Sequence, residues 1–468
     1  MRREEALDRL AGGRFDLAVV GGGIVGAGVA ALAAEHGLSV ALVDRGDFAS
    51  GTSSASSKLI HGGLRYLRMG DFRLVREALQ ESQTLATRVA PHLVRPLRFV
   101  LPVFDEGPYG RSAIRAGLWL YRALAGSPGE AFRLVDAPEA RRLVPALRAE
   151  RLTAAGAYSD AQTNDARLCL AVLRSAEARG AVVVNYAELV GLAGAFELDV
   201  ADRIEGSPVR VAARAVVNAA GPWVDRVRRL EDPGAGRSVA LSKGVHLVLR
   251  PREPWSTALT IPQDGTRVSF VLPWEGMLLL GTTDERYEAD PDEVGVDAAE
   301  EAQVLAEAAR ALVPGAVGAE DVVARFAGLR VLPLGPAGTA RARREVTILR
   351  GPKGMLSVAG GKLTTYRRIA RAVLAELGVR DRQPPSPLPD VAPEVLAYAD
   401  ALEPLVPGEP ELVAHVLHAR DREWAVRAED VLRRRTTLAL RGFDEPELRR
   451  RVDELLSARS PAPDPAGR

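Results

Sequence analysis

The chain has 468 residues, 47% of them apolar and 26% charged, the balance of a globular protein with room for two or three structural units. A formal net charge of +1 supplies no overall electrostatic drive toward nucleic acid. The single cysteine, Cys169, excludes an internal disulfide and fits a reducing compartment, and no run approaches the ~18 apolar residues expected of a membrane-spanning helix.

The opening MRREEALDRLAGGRFD is too charged for a secretory signal. FDLAVV (15–20) reads as a buried strand, GGGIVGAG follows, and the Ala-rich stretch 27–36 reads as a helix stopped at Gly37. LSVALVD (38–44) reads as a second parallel strand, so the segment is a βαβ unit. Residues 71–90 have the pattern of an amphipathic helix with Asp71 as its N-cap. RSAIRAGLWLYRALAG (111–126) is also amphipathic, with Arg111, Arg115 and Arg122 among Leu, Trp and Tyr. Two readings fit it: ordinary core packing, or docking on a membrane surface.

Strands return in AVVVNY and ARAVVNAAG. VHLVL (245–249), RVSFVLP (267–273) and MLLLG (277–281) read as an antiparallel layer, followed by a helix near 298–313 and a strand in MLSVAGG (355–361). The remaining segments are a proline-rich linker (383–393), a helical domain (394–460) and a tail (461–468) expected to be disordered. His415 and His418 share a face of one predicted helix, but no further ligand accompanies them, so no metal is expected.

Gly21-x-Gly23-x-x-Gly26 ends a strand and opens a helix. The first glycine permits the tight turn, the second a close approach of backbone to a pyrophosphate, and the third close helix–strand packing. Asp44 ends the next strand 21 residues after Gly23, where an acid can hold ribose hydroxyls. The motif specifies a dinucleotide without separating NAD from FAD.

Only four of the 62 Lys and Arg residues are lysines: Lys58, Lys243, Lys353 and Lys362. The two residue types are exchangeable on a solvated surface but not where a compact ammonium is needed. Lys58 lies in GTSSASSKLIHGGLRYL (51–67), among serine donors and before the Gly62–Gly63 pair, and Lys362 directly follows Gly360–Gly361. Glycine pairs permit close approach to a flat ring.

FDLAVVGGGIVGAGVA, GTSSASSKLIHGGLRYL, PHLVRPLRFVLP, NAAGPWVD, SKGVHLVL, LLLGTTD and GGKLTTYR, in that order, resemble the FAD-dependent respiratory glycerol-3-phosphate dehydrogenases. The similarity runs from about residue 14 to 370 and resumes in REWAVRAEDVLRRRTTLAL. The resemblance implies an α/β fold: a Rossmann-type FAD-binding domain with an antiparallel-sheet substrate domain, like glutathione reductase or D-amino acid oxidase, and a C-terminal helical domain. These would occupy 14–382 as one discontinuous unit, with the substrate layer mainly at 95–150 and 238–325, followed by 394–460. It implies oxidation of sn-glycerol 3-phosphate to dihydroxyacetone phosphate, with electrons passed to a membrane quinone.

By the same resemblance the adenosine diphosphate half of FAD falls to Gly21, Gly23, Gly26 and Asp44, and the flavin to Ser53, Ser54, Lys58, Leu59, Ala219, Gly221 and Trp223. The substrate falls to His61, Arg65, Tyr66, His246, Arg330, Lys362 and Thr364, with Arg344 as a further phosphate ligand for which Arg341 or Arg343 are alternatives. His61 is expected to take the hydroxyl proton, with His246 as the competing base; Lys362 is expected to stabilise charge on the flavin, and Lys58 to hold the cofactor or its loop. The expected setting is cytoplasmic, peripheral on the inner face of the cell membrane, with a homodimer allowed and no nucleic acid. The competing activities are a glycerol-3-phosphate oxidase using oxygen, a related FAD-dependent hydroxy-acid or amine dehydrogenase, and a non-catalytic FAD-binding scaffold.

Overall fold

The structure is a computed structural model that describes residues 1, 3–63, 67, 70–126, 132–194, 196–264, 267–334 and 346–458. The expectations for Arg65, Tyr66, Arg341, Arg343, Arg344 and the tail 461–468 lie outside the described residues.

Two sheets form the body of the molecule. In the first, Arg14–Val20 pairs in parallel with Val40–Val43 on one side and Pro208–Asn218 on the other. Val182–Val184 and Leu356–Ala359 extend the parallel array outward, and the antiparallel Thr347–Arg350 closes one edge. All four residues of Val40–Val43 are buried, which is why this strand is an unbroken apolar run rather than an alternating one. The helix Ile24–Glu35 covers the sheet, and its small residues let neighbours come close. A Cβ on Gly28 would stand 2.7 Å from the ring of Tyr366, on the helix Tyr366–Glu376.

The second sheet is mostly antiparallel. Val239–Leu249 lies between Met277–Gly281 and Val322–Pro333, with Ser242 opposite Arg330, Gly244 opposite Gly328, and His246 opposite Phe326. Because side chains alternate along a strand, these three pairs share one face. A Cβ on Gly244 would stand 2.6 Å from Arg330 Nη2, so this glycine makes room for the guanidinium. Arg95–Phe104 pairs with Leu152–Gln162, and the two-residue strand Leu59–Ile60 pairs with Ala161 and Gln162. The loop that opens with GTSS is thereby pinned to the second sheet although it follows the first.

Residues 71–90 form the helix Phe72–Thr84, capped by Asp71 through Leu74 N (3.1 Å) and continued by a π turn, Leu85–Val89. The helix Arg111–Ala125 buries Ile114, Leu118 and Tyr121, while Trp119 is 70% exposed. The proline-rich segment is strapped to the body: Leu388 N donates to Val89 O (2.7 Å), and Asp381 binds Arg371 and His36. The C-terminal helices dock through buried polar contacts, Arg434 and Arg435 on Asp47 and Tyr186 Oη on Asp430 at 2.6 Å. His415 caps its own helix through Leu412 N and His418 contacts Glu394; among the described residues no cluster has the composition of a metal site.

Candidate active site and cofactor cleft

A cavity of about 1470 Å³ runs between the sheets from Asp44 to Arg330. Its walls include Gly21, Gly23, Ser53, Ser54, Leu59, His61, Ala219, Gly221, Trp223, His246 and Lys362, brought together from five separated stretches of sequence.

At one end the glycine turn is sterically obligatory. Gly21 has φ +106°, and a Cβ on Gly26 would stand 1.9 Å from Gly21 O. The helix Ile24–Glu35 starts at Gly23, which has no capping side chain, and Ser53 Oγ reaches across to accept from Ile24 N at 2.9 Å. Unsatisfied N–H groups and the helix dipole make this end a site for a phosphate anion. The Asp44 carboxylate accepts from Gly22 N (2.6 Å) and Gly46 N (2.8 Å). Burial outweighs those bonds and pushes its pKa up to about 6, a cost that hydroxyl donors from a bound ligand would offset. An elongated cleft with an anion-binding helix end, a buried acid beyond it and two glycine pairs at the far end fits a dinucleotide bearing a flat ring.

The lysines divide sharply. Lys58 has φ +59° and is buried; its Nζ donates to Asp165 Oδ1 (2.6 Å) and Ser54 O (2.9 Å), between the rings of Trp274 and Phe326. It lies behind the cavity wall and clamps the serine loop from below, while Asp165 also accepts from Ser56 N and Oγ. Burial lowers the Lys58 pKa against the opposing pull of Asp165. Lys243 is paired with Glu300. Of the three lysines in the quoted motifs, only Lys362 lines the cavity, with Nζ 3.0 Å from His61 O.

That contact ties the two glycine-pair segments together, and Thr364 Oγ1 adds a second tie by accepting from His61 N at 3.3 Å. Thr364 is fully buried behind the wall. Across the cavity His246 stacks on Phe326 at 4.9 Å, and its Nε2 contacts Ser57 Oγ at 2.8 Å. Burial, then Arg330 and Lys58, lower its pKa to about 3, so the ring is neutral near pH 7. Its buried Nδ1 has no hydrogen-bond partner among the described residues. Arg330 is held in a fork: Nη1 donates to Thr283 O (3.0 Å) and Asp284 Oδ1 (3.2 Å), and Nη2 to Thr282 Oγ1 (2.8 Å).

The sequence reading passed over Asp160, Asp165, Asp47 and Tyr121. Asp160 lines the cavity beside Gly62, and Asp165 is the counter-ion that explains Lys58. One signal was present for Asp165: Asn164–Asp165 opens a helix, where a polar residue with a capped backbone has a side chain to spare.

A family model described as FAD dependent oxidoreductase matches residues 16–367. A glycerol-3-phosphate dehydrogenase of Pseudomonas aeruginosa is 35% identical over 514 aligned positions, covering 96% of this chain and 96% of that protein. An aerobic glycerol-3-phosphate dehydrogenase of Staphylococcus saprophyticus is 34% identical, covering 81% of this chain and 70% of that one. The crystal structure of the Bacillus halodurans glycerol-3-phosphate dehydrogenase complexed with FAD superposes with a TM-score of 0.70 at 27% identity, covering 97% of this chain and 96% of that one. The chain belongs to the FAD-dependent oxidoreductases and, within them, to the glycerol-3-phosphate dehydrogenase family. FAD is its cofactor.

Proposed function

We propose that the protein oxidises sn-glycerol 3-phosphate to dihydroxyacetone phosphate and delivers the electrons to a membrane quinone. The observation that carries this reading is the fixed Arg330 fork facing the same cavity as the FAD cradle and His61. Bound FAD supplies the hydride acceptor. The guanidinium fork suits a phosphate dianion, with Arg65, Tyr66 and Arg344 as the further substrate residues, while Thr364 acts from behind the wall by holding His61 N. His61 takes the hydroxyl proton, and the Lys362 ammonium compensates negative charge on the flavin. Ser53, Ser54, Leu59, Ala219, Gly221 and Trp223 line the cofactor, and Lys58 holds its loop.

The test is a visible spectrum of the purified protein under anaerobic titration. sn-Glycerol 3-phosphate is expected to bleach the flavin, whereas glycerol and amino acids leave it oxidised; bleaching by an amino acid instead would overturn the assignment. Arg330→Ala is expected to weaken product binding about 10- to 150-fold, the worth of one charged hydrogen bond. Unchanged affinity for dihydroxyacetone phosphate would remove Arg330 from the phosphate site.

Quinone delivery requires contact with a membrane, and no described helix is long and apolar enough to cross one. The helix Arg111–Ala125 supports a peripheral contact, because Arg111, Arg115, Trp119 and Arg122 are all exposed on it. Reversing the charges of Arg115 and Arg122 is expected to lower sedimentation with anionic liposomes at low salt. Equal binding by the variant would exclude this helix as the contact.

A further inference from the structure

A second polar pair, Tyr121 and Asp160, packs behind the His61 segment. Tyr121, on the helix Arg111–Ala125, is fully buried, and its hydroxyl donates to Asp160 at 2.8 Å to Oδ1 and 3.0 Å to Oδ2. Asp160 stands in the cavity wall, where Oδ1 also lies 3.4 Å from Gly62 N. A Cβ on Gly62 would come within 2.6 Å of Tyr121 Oη, so the glycine pair is seated directly on this hydroxyl. The next residue back is His61, whose carbonyl receives the Lys362 ammonium.

We propose that Asp160 is a positioning residue of the active site: with Tyr121 it seats the His61–Gly62 backbone, and its negative charge sets the field of the Lys362 ammonium at the flavin. The proposal rests on the placement of Lys362 beside the flavin. Burial raises the Asp160 pKa to about 7, against the opposing effects of Tyr121, Gly62 and Lys362. Among the described residues, the ionisable groups around it include Tyr121 from the helix, Lys362 from the second glycine-pair segment, Tyr158 from its own strand and the neighbouring His61. On the strand paired with it, the residue opposite is the uncharged Leu97.

The sign follows. Below about pH 7 Asp160 is protonated, and the full charge of Lys362 acts on the flavin; above it, the carboxylate offsets part of that charge. The reduction potential of the bound flavin should therefore fall more steeply with pH in the parent protein than in Asp160→Asn, which keeps the shape and loses the charge.

The experiment is a spectroscopic measurement of flavin potential from pH 5.5 to 9 in the parent, Asp160→Asn, Tyr121→Phe and Lys362→Met holoproteins. Parent and Asp160→Asn are expected to coincide in acid and separate above neutrality, with Asp160→Asn higher. Tyr121→Phe removes a donor to the carboxylate, so its curve should break at higher pH; it also serves should Asp160→Asn not fold. A purely structural role would alter stability or FAD retention without a pH-linked separation. If Lys362→Met lowers the potential while Asp160→Asn follows the parent throughout, the proposal is overturned and the site reading stands. If Lys362→Met leaves the potential unmoved, the placement of Lys362 fails and the proposal falls with it.

Discussion

His61→Ala is expected to slow reduction of the bound flavin by sn-glycerol 3-phosphate about 10²–10⁴-fold in anaerobic single turnover, the usual worth of a positioned general base. The backbone of His61 is tied on both sides, by Thr364 Oγ1 at its N–H and by Lys362 Nζ at its carbonyl. Such ties fix the backbone that carries the half-buried side chain to the cavity wall, and positioning of this kind is what proton abstraction needs. The competing ring, His246, is buried between Phe326 and Ser57 with its pKa lowered to about 3. A base that weak does not produce a rate limb near neutrality. His246→Ala should therefore keep the neutral limb of the pH–rate profile and His61→Ala should lose it. The reverse outcome would transfer the role of base to His246.

Arg435→Ala is expected to cost about 3–5 kcal/mol of stability, the effect of removing one member of a buried ion pair. Arg435 is 5% exposed, and its Nη2 donates to Asp47 Oδ1 at 2.9 Å. Arg434 and Asn185 bind the same carboxylate. Burial pushes the Asp47 pKa up, and Arg435 and Arg434 more than offset it, holding the pKa below the usual carboxylate value. A depressed folded pKa means that this stability is present above the unfolded value of about 3.9 and is lost as pH falls through the folded one. Denaturant unfolding at pH 7 should report the loss, and FAD affinity should drop with it, since Asp47 lies three residues after Asp44 in the same cavity wall. An unfolding free energy within 1 kcal/mol of the parent would show that the C-terminal helices are held by other contacts.

The parts of the site that were readable in the sequence are those whose reasons are local. The glycine turn, the acid at the end of the second strand and the alternating strands of the second sheet each follow from spacings within a few tens of residues. The glycine pairs were readable for the same reason. Lys58 stood out by rarity, yet its placement at the flavin came from resemblance alone. Its partner Asp165 is 107 positions away, and nothing in local pattern announces a pair closed by tertiary folding. Asp160 and Tyr121 were hidden similarly, on a strand and a helix that look like ordinary core elements. Asp47 was missed because its two arginines lie 387 and 388 positions further on.

The lysine inventory has a practical consequence for labelling chemistry. Acylating reagents meet only four ε-amino groups in this chain. Lys58 and Lys243 are occupied in ion pairs with little solvent access, and Lys353 sits exposed on a turn. Once Lys353 is replaced by arginine, the accessible ε-amine that remains is Lys362, inside the cleft. A fluorophore or crosslinker aimed at amines would then report from the cleft once the α-amine of Met1 is blocked, without an engineered cysteine.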